Sequence, residues 1–157
     1  MTDETAGSAD EATDIRAVKA EWVGHEFERA EFRIDGQRML DWAAAVGETD
    51  PRFTDPDHPD FQAHPAFPAQ FGPRHMLPKN FPAIGNTKRG MDGGKAIELH
   101  RPIRAGDVLT AASELADVYE KTGRSGTMIF IVHRMSFTNQ AGEPVATVDW
   151  RMMRPAS

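Results

Sequence analysis

Residues 108–138, VLTAASELADVYEKTGRSGTMIFIVHRMSFT, decide the fold of this chain of 157 residues. Val108–Tyr119 is a long strand candidate, and the polar, glycine-containing stretch Lys121–Gly126 separates it from Met128–Thr138. Alternating apolar residues are typical of strands that bury one face, and short connections containing glycine join antiparallel neighbours. The second strand has such a face, made of Ile129, Ile131, Met135 and Phe137.

The sequence on either side continues the pattern. Asn139–Glu143 (NQAGE) predicts a hairpin turn, and Ala96–Ile103 predicts a further strand that ends at the turn Arg104–Asp107. The last strand has an apolar face and a polar face, so the three C-terminal strands predict an antiparallel meander. Its apolar face holds Ala146, Val148, Trp150 and Met152, and its other face holds Thr147, Asp149 and Arg151.

The N-terminal part predicts the layer that covers this sheet. Ile15–Val23 predicts a short helix, and Glu26–Ile34 predicts a strand or the extended lead into a helix. Gln37–Val46 predicts an apolar helix, with Asp35 as a natural N-cap and Gly47 as a C-cap glycine. The residues on its apolar face are Met39, Ala43 and Val46.

Residues 48–95 contain most of the eleven prolines, several aromatic residues and little periodicity. Long structured loops in compact domains are often functional lids or binding elements, so we expect a long, partly ordered lid segment. The segment includes Gly85–Gly90, which lacks the GK[ST] ending of a phosphate-binding loop.

Composition limits the class of protein. The length fits one domain, which we place at residues 15–157 behind a disordered acidic tail at 1–14. A net charge of −6 argues against nucleic acid as a partner, and no apolar stretch approaches the ~20 residues of a membrane span. The N-terminus lacks secretory-signal features, so we expect a cytoplasmic protein. Without cysteine or the spacing of zinc-binding histidines, we expect no disulfide and no metal.

Residues 42–55, WAAAVGETDPRFTD, resemble the hydratase motif of MaoC-like enzymes. In that family a helix ends in Gly-Asp-x-Asn-Pro, followed two residues later by His, and the Asp and His form the acid/base pair that adds or removes water. The matching positions here hold Glu48 for Asp, Asp50 for Asn, and Phe53 for His.

Three further stretches are similar to the N-terminal (FAS1-like) domain of MaoC-like dehydratases, and the resemblance covers about residues 20–154. It implies an α+β hot-dog fold, in which an antiparallel sheet wraps around a central helix, here with a long proline-rich lid segment. The stretches are GGKAIELHRPIRAGD at 93–107, ASELADVYEKTGRSG at 112–126 and TNQAGEPV at 138–145.

The resemblance also implies a function. Acyl thioesters enter a tunnel between two hot-dog units, which are homodimers, fused pairs or heterodimers with one catalytic subunit. Because Phe53 cannot transfer a proton, we expect a subunit of an (R)-specific enoyl-thioester hydratase or 3-hydroxyacyl-thioester dehydratase that shapes the acyl pocket beside a catalytic partner. We expect no cofactor beyond the substrate's carrier, coenzyme A or an acyl carrier protein.

Other interpretations stay open. Glu48 is a displaced catalytic acid or a carboxylate that caps the loop, and Asp50 is a catalytic candidate or a turn residue. In one interpretation His58 or His64 replaces the missing histidine, and the chain is a self-sufficient homodimeric hydratase. In the other, both are ordinary histidines of a surface loop. A hot-dog scaffold that binds acyl thioesters without turnover is a further alternative, and thioester hydrolysis a more distant one. No pattern marks His133.

The substrate-binding candidates lie in the motif and in the lid segment. The apolar side chains there have three alternative interpretations: they line an acyl tunnel, they are buried against a partner subunit, or they pack in the core of the chain. Lys88 and Arg89 meet the phosphates of coenzyme A or an acidic carrier protein, or are solvated charges in a turn. The apolar candidates are Phe53, Phe67, Phe71 and Met76, and the other apolar lid residues are Phe61, Leu77 and Phe81.

Overall fold

The computed structural model describes residues 13–157, so the predicted tail at 1–14 lies almost entirely outside the described residues. The first helix, α1 (Ile15–Trp22), begins where Asp14 accepts a hydrogen bond from the backbone N–H of Arg16 at 2.9 Å. A carboxylate at this position satisfies a free N–H of the first turn and favours the helix. The predicted short helix is therefore present.

Five antiparallel strands form one sheet in the order β1-β3-β4-β5-β2. The predicted meander is confirmed, because β3, β4 and β5 are consecutive neighbours joined by short turns. The strands are β1 (Glu26–Arg33), β2 (Met91–Leu99), β3 (Val108–Gly123), β4 (Gly126–Thr138) and β5 (Pro144–Pro155). The remaining elements are α2 (Gly36–Ala45), α3 (Pro51–Thr54) and the 3₁₀ turns Phe67–Gln70 and Thr87–Arg89.

Strand β2 differs from its prediction, since it begins at Met91 rather than Ala96 and ends at Leu99. Its pairing with β5 shifts between Asp92 and Lys95, and the glycines at this bulge break the alternation that sequence patterns detect. A Cβ at Gly93 would lie 2.9 Å from the Met153 Sδ and 3.0 Å from the Arg151 carbonyl oxygen, so a side chain there would force the neighbouring strand to shift.

Helix α2 begins and ends as predicted at its caps. Asp35 accepts from the Gln37 N–H at 3.0 Å, and Gly47 has φ +72°, a conformation that favours glycine. Met39 and Ala43 are fully buried. The prediction that Val46 shares their face is wrong: its residue is 49% exposed, because the helix ends at Ala45 and the chain turns away at the cap.

The core has two clusters. One lies under α2 and includes Met39, Leu109 and Phe137, and the other includes Val18 of α1 and Leu115 of β3. The predicted lid segment has little regular structure, yet several of its side chains are buried in these clusters or beside them, so much of it packs as core. Those side chains are Phe53, Ala63, Phe67, Phe71 and Ile84. Its role as a lid stays a prediction.

No helix in residues 13–157 is both long enough and apolar enough to cross a membrane.

Candidate functional site

The turn after α2 is built around the carboxylate of Glu48. The Glu48 N–H donates to the Ala43 carbonyl at 2.9 Å, which holds the residue against the end of the helix. Glu48 Oε1 accepts from the backbone N–H groups of Thr49 at 2.8 Å and Asp50 at 2.9 Å. These two bonds favour the charged carboxylate and hold the pKa of Glu48 below its ordinary value. The capping interpretation of Glu48 therefore fits its surroundings.

The structure brings His64 to this carboxylate. His64 Nε2 lies 3.4 Å from Glu48 Oε2, and the two side chains are 22% and 24% exposed. His64 Nδ1 accepts from the Ala66 N–H at 3.1 Å, so in the neutral ring the proton belongs on Nε2, facing Glu48. His58, the other loop candidate, accepts from the Asp60 N–H at 3.0 Å in the same local manner. Of the two, only His64 has an ion-pair contact with Glu48 among the residues that the structure describes.

Asp50 is occupied by local contacts. It is the N-cap of α3, whose first residue is Pro51, and it accepts from the Arg52 N–H at 3.0 Å. The Arg52 guanidinium also binds both carboxylate oxygens, with the shortest contact at 2.6 Å. This guanidinium lowers the pKa of Asp50 below its ordinary value. The turn interpretation fits these contacts of the Asp50 carboxylate, and a catalytic role for Asp50 stays a prediction.

Phe53 stands where the motif of the resemblance has its histidine, and it is buried, with 7% of its surface exposed. Its ring meets the ring of His64 edge-on, with 5.5 Å between the centroids, and the Arg52 guanidinium lies 5.2 Å from the Phe53 centroid. An imidazole and a carboxylate thus lie beside an apolar ring. The pair can exchange a proton, and Phe53 can supply only apolar contact.

Two predicted pocket residues are core residues in this chain. Phe67 is fully buried and Phe71 is 3% exposed. The Phe71 ring packs 4.5 Å from Phe32 and 5.9 Å from Phe137, between centroids, and Phe67 packs edge-on against Trp42 at 6.3 Å. Both rings therefore have little exposed surface in this chain, which fits the core-packing alternative. Their role in lining a tunnel stays a prediction.

The other substrate-binding candidates share no hydrogen bond or ion pair with Glu48 among the residues that the structure describes. Met76 lines a cavity of about 290 Å³ at the start of β2, and Thr87 and Gly90, which flank Lys88 and Arg89, line it too. Glu48 and His64 lie towards the other end, because Ala63 donates to the Ile103 carbonyl just beyond β2. A strand rises about 3.3 Å per residue, so the ends of this nine-residue strand are on the order of 25 Å apart. The candidates therefore form two separate groups.

Sequence reasoning missed a buried histidine, His133 of β4. Its Nε2 lies 3.0 Å from the Ser113 hydroxyl oxygen, and its Nδ1 lies 2.9 Å from the Met76 carbonyl oxygen. Burial lowers the pKa of His133 below its ordinary value. A signal was present, since the alternation of β4 puts residue 133 between Ile131 and Met135 on the buried face.

No group of three or more histidine, aspartate or glutamate side chains within residues 13–157 has the arrangement of a metal site.

A family model and a relative both match most of this chain. The family model described as FAS1-like, dehydratase domain region matches residues 21–148. The UPF0336 protein Franean1_6066 of Parafrankia sp. (strain EAN1pec) is 32% identical over 123 residues, which cover 73% of this chain and 79% of that protein.

Solved structures share the architecture. The ChsH1-ChsH2 complex from Mycobacterium tuberculosis matches with a TM-score of 0.63 at 21% identity, over 90% of this chain and 89% of the matched chain. A MaoC-like dehydratase from Phytophthora capsici matches with a TM-score of 0.63 at 20% identity, over 92% of this chain and 50% of the matched chain. The C-terminally truncated HadBC (3R-hydroxyacyl-ACP dehydratase) complex from Mycobacterium tuberculosis matches with a TM-score of 0.59 at 21% identity. The match covers 90% of this chain and 98% of the matched chain. These structures confirm the hot-dog fold, and with the family model they show that the chain belongs to the MaoC-like dehydratase family, in its FAS1-like dehydratase branch.

Proposed function

We propose that this chain is the subunit of an (R)-specific enoyl-thioester hydratase or 3-hydroxyacyl-thioester dehydratase that shapes the acyl pocket, while a second hot-dog subunit supplies the acid/base pair. The observation that carries the proposal is the buried Phe53 at the position of the motif histidine. Two of the similar solved structures, ChsH1-ChsH2 and HadBC, are complexes, which supports a dimer with another subunit.

The chemistry explains why Phe53 points to a partner. Hydration needs one group to take a proton from water and another to deliver a proton to the α carbon. A phenyl ring does neither. Glu48 is held as a charged acceptor by two backbone N–H groups, so a lowered pKa makes it a poor proton donor near neutral pH. A partner with an intact Asp and His would supply both steps.

The test is a hydration assay with the purified chain, crotonyl-CoA and a longer 2-enoyl-CoA, followed by the loss of enoyl absorbance. We expect no turnover by the chain alone, and turnover above that of the partner alone when a MaoC-like subunit with an intact motif is added. A partner variant without its motif histidine is the matched control and should abolish activity. Turnover by this chain alone would contradict the proposal.

The Glu48–His64 contact favours a second candidate, a self-sufficient homodimeric hydratase. In this scheme Glu48 takes a proton from the attacking water as the water oxygen bonds to the β carbon and the electrons of the double bond move to the α carbon. The protonated Glu48 then gives that proton to the α carbon and is again a carboxylate, while His64 Nε2–H faces Glu48 and orients it. The 3.4 Å separation and the proton on Nε2 both fit this arrangement.

Variants separate the two candidates. If the chain alone turns over enoyl-CoA, Glu48→Gln and His64→Asn should each lower the rate by about a hundredfold or more, since acid/base groups typically contribute this much. His58→Asn is the matched control, because His58 makes a similar local backbone contact without touching Glu48. Equal rates in all three variants would exclude this pair as the catalytic groups.

A further inference from the structure

We propose that the outer face of the sheet, at the end where β3 turns into β4, binds the surface of an anionic lipid membrane. The outer face is the one turned away from the two core clusters. At this end it carries apolar side chains that lie directly opposite one another on four neighbouring strands. This apolar row consists of Tyr119, Phe130, Met153 and Met91.

Alternation along the strands places the apolar row on the outer face. Ile129 and Ile131 of β4 are buried in the core, so Phe130 between them points outward. Tyr119 and Met153 pair with Phe130 from either side, and directly opposite residues of neighbouring strands share a face. The rings of Tyr119 and Phe130 are stacked, with 4.8 Å between their centroids. The row is therefore continuous from β3 to β5.

The row is accessible, most of all at its β2 end. Met91 pairs with Met153 and is 46% exposed, and within residues 13–157 the other large apolar residue exposed to this degree is Val46. Tyr119, Phe130 and Met153 are each partly exposed. Exposed apolar side chains that lie together mark an interaction surface, whereas a single exposed apolar residue does not. The row therefore needs a partner, and Val46 does not.

Cations surround the apolar row. The Lys121 ammonium lies 5.5 Å from the centroid of Tyr119 and 5.6 Å from that of Phe130, so it stands over both rings. Arg151 comes two residues before the β5 member of the row and shares its face. Arg124 lies in the turn between β3 and β4. All three cations are exposed, and none of them takes part in an ion pair within the described part of the chain.

The nearby carboxylates are already paired or point away from these cations. Asp117 forms an ion pair with Lys19 at 2.7 Å, and Glu120 points to the other face of β3 because the strand alternates. Farther along the outer face a cation is neutralised, since Arg134 binds both carboxylate oxygens of Asp149 at 2.7 Å. The whole chain has a net charge of −6, so the free cations around the row are a local feature that selects an anionic partner.

The charge and shape of this face favour a membrane over a protein partner. A twofold contact with a second copy would bring the same three cations together, and like charges across an interface oppose association. Strands β4 and β5 each pair with a strand on both sides, so their backbone groups are not free to bind an extended peptide. A bilayer needs neither feature, because apolar and aromatic side chains enter its interface while Lys and Arg contact anionic headgroups.

The first experiment measures cosedimentation of the full chain with lipid vesicles. One set of vesicles is phosphatidylcholine alone, and the other is an equal mixture of phosphatidylcholine and phosphatidylglycerol. We expect binding to the anionic mixture, at least tenfold weaker binding to phosphatidylcholine, and weaker binding as salt rises from about 0.05 M to about 0.5 M. Equal binding to both vesicles, or binding to neither, would overturn the proposal. No thioester is present, so the result is independent of the hydration assay.

Two double variants of equal net charge locate the cationic part of the surface. Lys121→Glu with Arg151→Glu reverses two cations beside the apolar row. Arg33→Glu with Lys79→Glu reverses two exposed cations elsewhere, at the end of β1 and in the segment before β2. We expect the first double variant to weaken binding to anionic vesicles at least tenfold and the second to stay within about threefold of the parent chain. Equal weakening in both would show a general charge effect and overturn the proposal.

A matched pair of single variants tests the apolar row. Met91→Ser and Val46→Ser make the same change at residues of similar exposure, so both should fold, and a thermal melt verifies this. We expect Met91→Ser to weaken binding to anionic vesicles about fivefold, because the methionine loses its burial in the bilayer, and Val46→Ser to leave it unchanged. Equal affinity of Met91→Ser and the parent chain would overturn the role of the row.

Sedimentation velocity without vesicles tests the second copy as the alternative occupant. We expect the same association state for the parent chain, for Met91→Ser and for the double variant Lys121→Glu with Arg151→Glu. Self-association of the parent chain that disappears in Met91→Ser would assign the row to a second copy and overturn the membrane proposal.

Discussion

The imidazole of His133 and the hydroxyl of Ser113 form a 3.0 Å hydrogen bond on the buried face of the sheet, between β4 and β3. Both residues are at most 2% exposed. The other imidazole nitrogen lies 2.9 Å from the Met76 carbonyl oxygen. His133 thus connects the sheet to the segment that brings Met76 to the cavity at the start of β2. A buried network of hydrogen bonds stabilises one arrangement of the segment when all of its polar groups are paired, and it destabilises the fold when one of them is left unpaired.

This contact predicts a pH dependence of the free energy of unfolding. Burial lowers the pKa of His133 in the folded chain, so the unfolded chain binds a proton first as the pH falls. The stabilisation is fully present above the unfolded pKa of about 6.5 and is lost as the pH falls from there through the folded pKa. Urea unfolding at about pH 7.5 and 5.5 should show lower stability at the acidic value. His133→Gln should reduce this difference, whereas His25→Gln, at an exposed histidine, should retain it.

A second prediction concerns the cost of breaking the contact. His133→Leu leaves the Ser113 hydroxyl and the Met76 carbonyl without their partner, so we expect a loss of about 1–3 kcal/mol in the free energy of unfolding at neutral pH. Adding Ser113→Ala to this variant removes one unsatisfied group and should restore part of the loss. Urea midpoints of the parent, both single variants and the double variant measure this. A double variant less stable than His133→Leu would show that Ser113 acts through packing instead.

A third prediction concerns the loop that carries the candidate pair. Asp50 caps α3 and binds the Arg52 guanidinium, so Asp50→Ala should lower the thermal midpoint. Asp50→Asn keeps a capping oxygen and should lower it much less. If Asp50 has only this local role, both variants should also keep the activity measured with a catalytic partner. A hundredfold loss of activity in a folded Asp50→Asn variant would instead make Asp50 a catalytic residue.

Sequence patterns predict the parts of this fold that local chemistry determines. Asp35 and Gly47 mark the ends of α2 because N-caps and left-handed C-caps need these residue types. The start of β2 was not predictable by alternation, because the bulge at Gly93 interrupts the period. The same limit applies to the site. His64 reaches Glu48 through an aperiodic segment, whose course depends on tertiary contacts rather than on local sequence.

The last prediction tests whether Phe67 belongs to the core or to a ligand pocket. Phe67 is fully buried beside Trp42 and Phe71, so Phe67→Ala should lower the free energy of unfolding by about 3–5 kcal/mol, the usual cost of removing a buried phenyl ring. Met91→Ala, at an exposed methionine, should cost far less, and guanidinium unfolding compares the two. A pocket-lining ring faces open space on one side, so its removal enlarges an existing cavity and costs less. If Phe67→Ala lowers the free energy of unfolding by less than about 1 kcal/mol and also weakens acyl-thioester binding, Phe67 lines the substrate pocket.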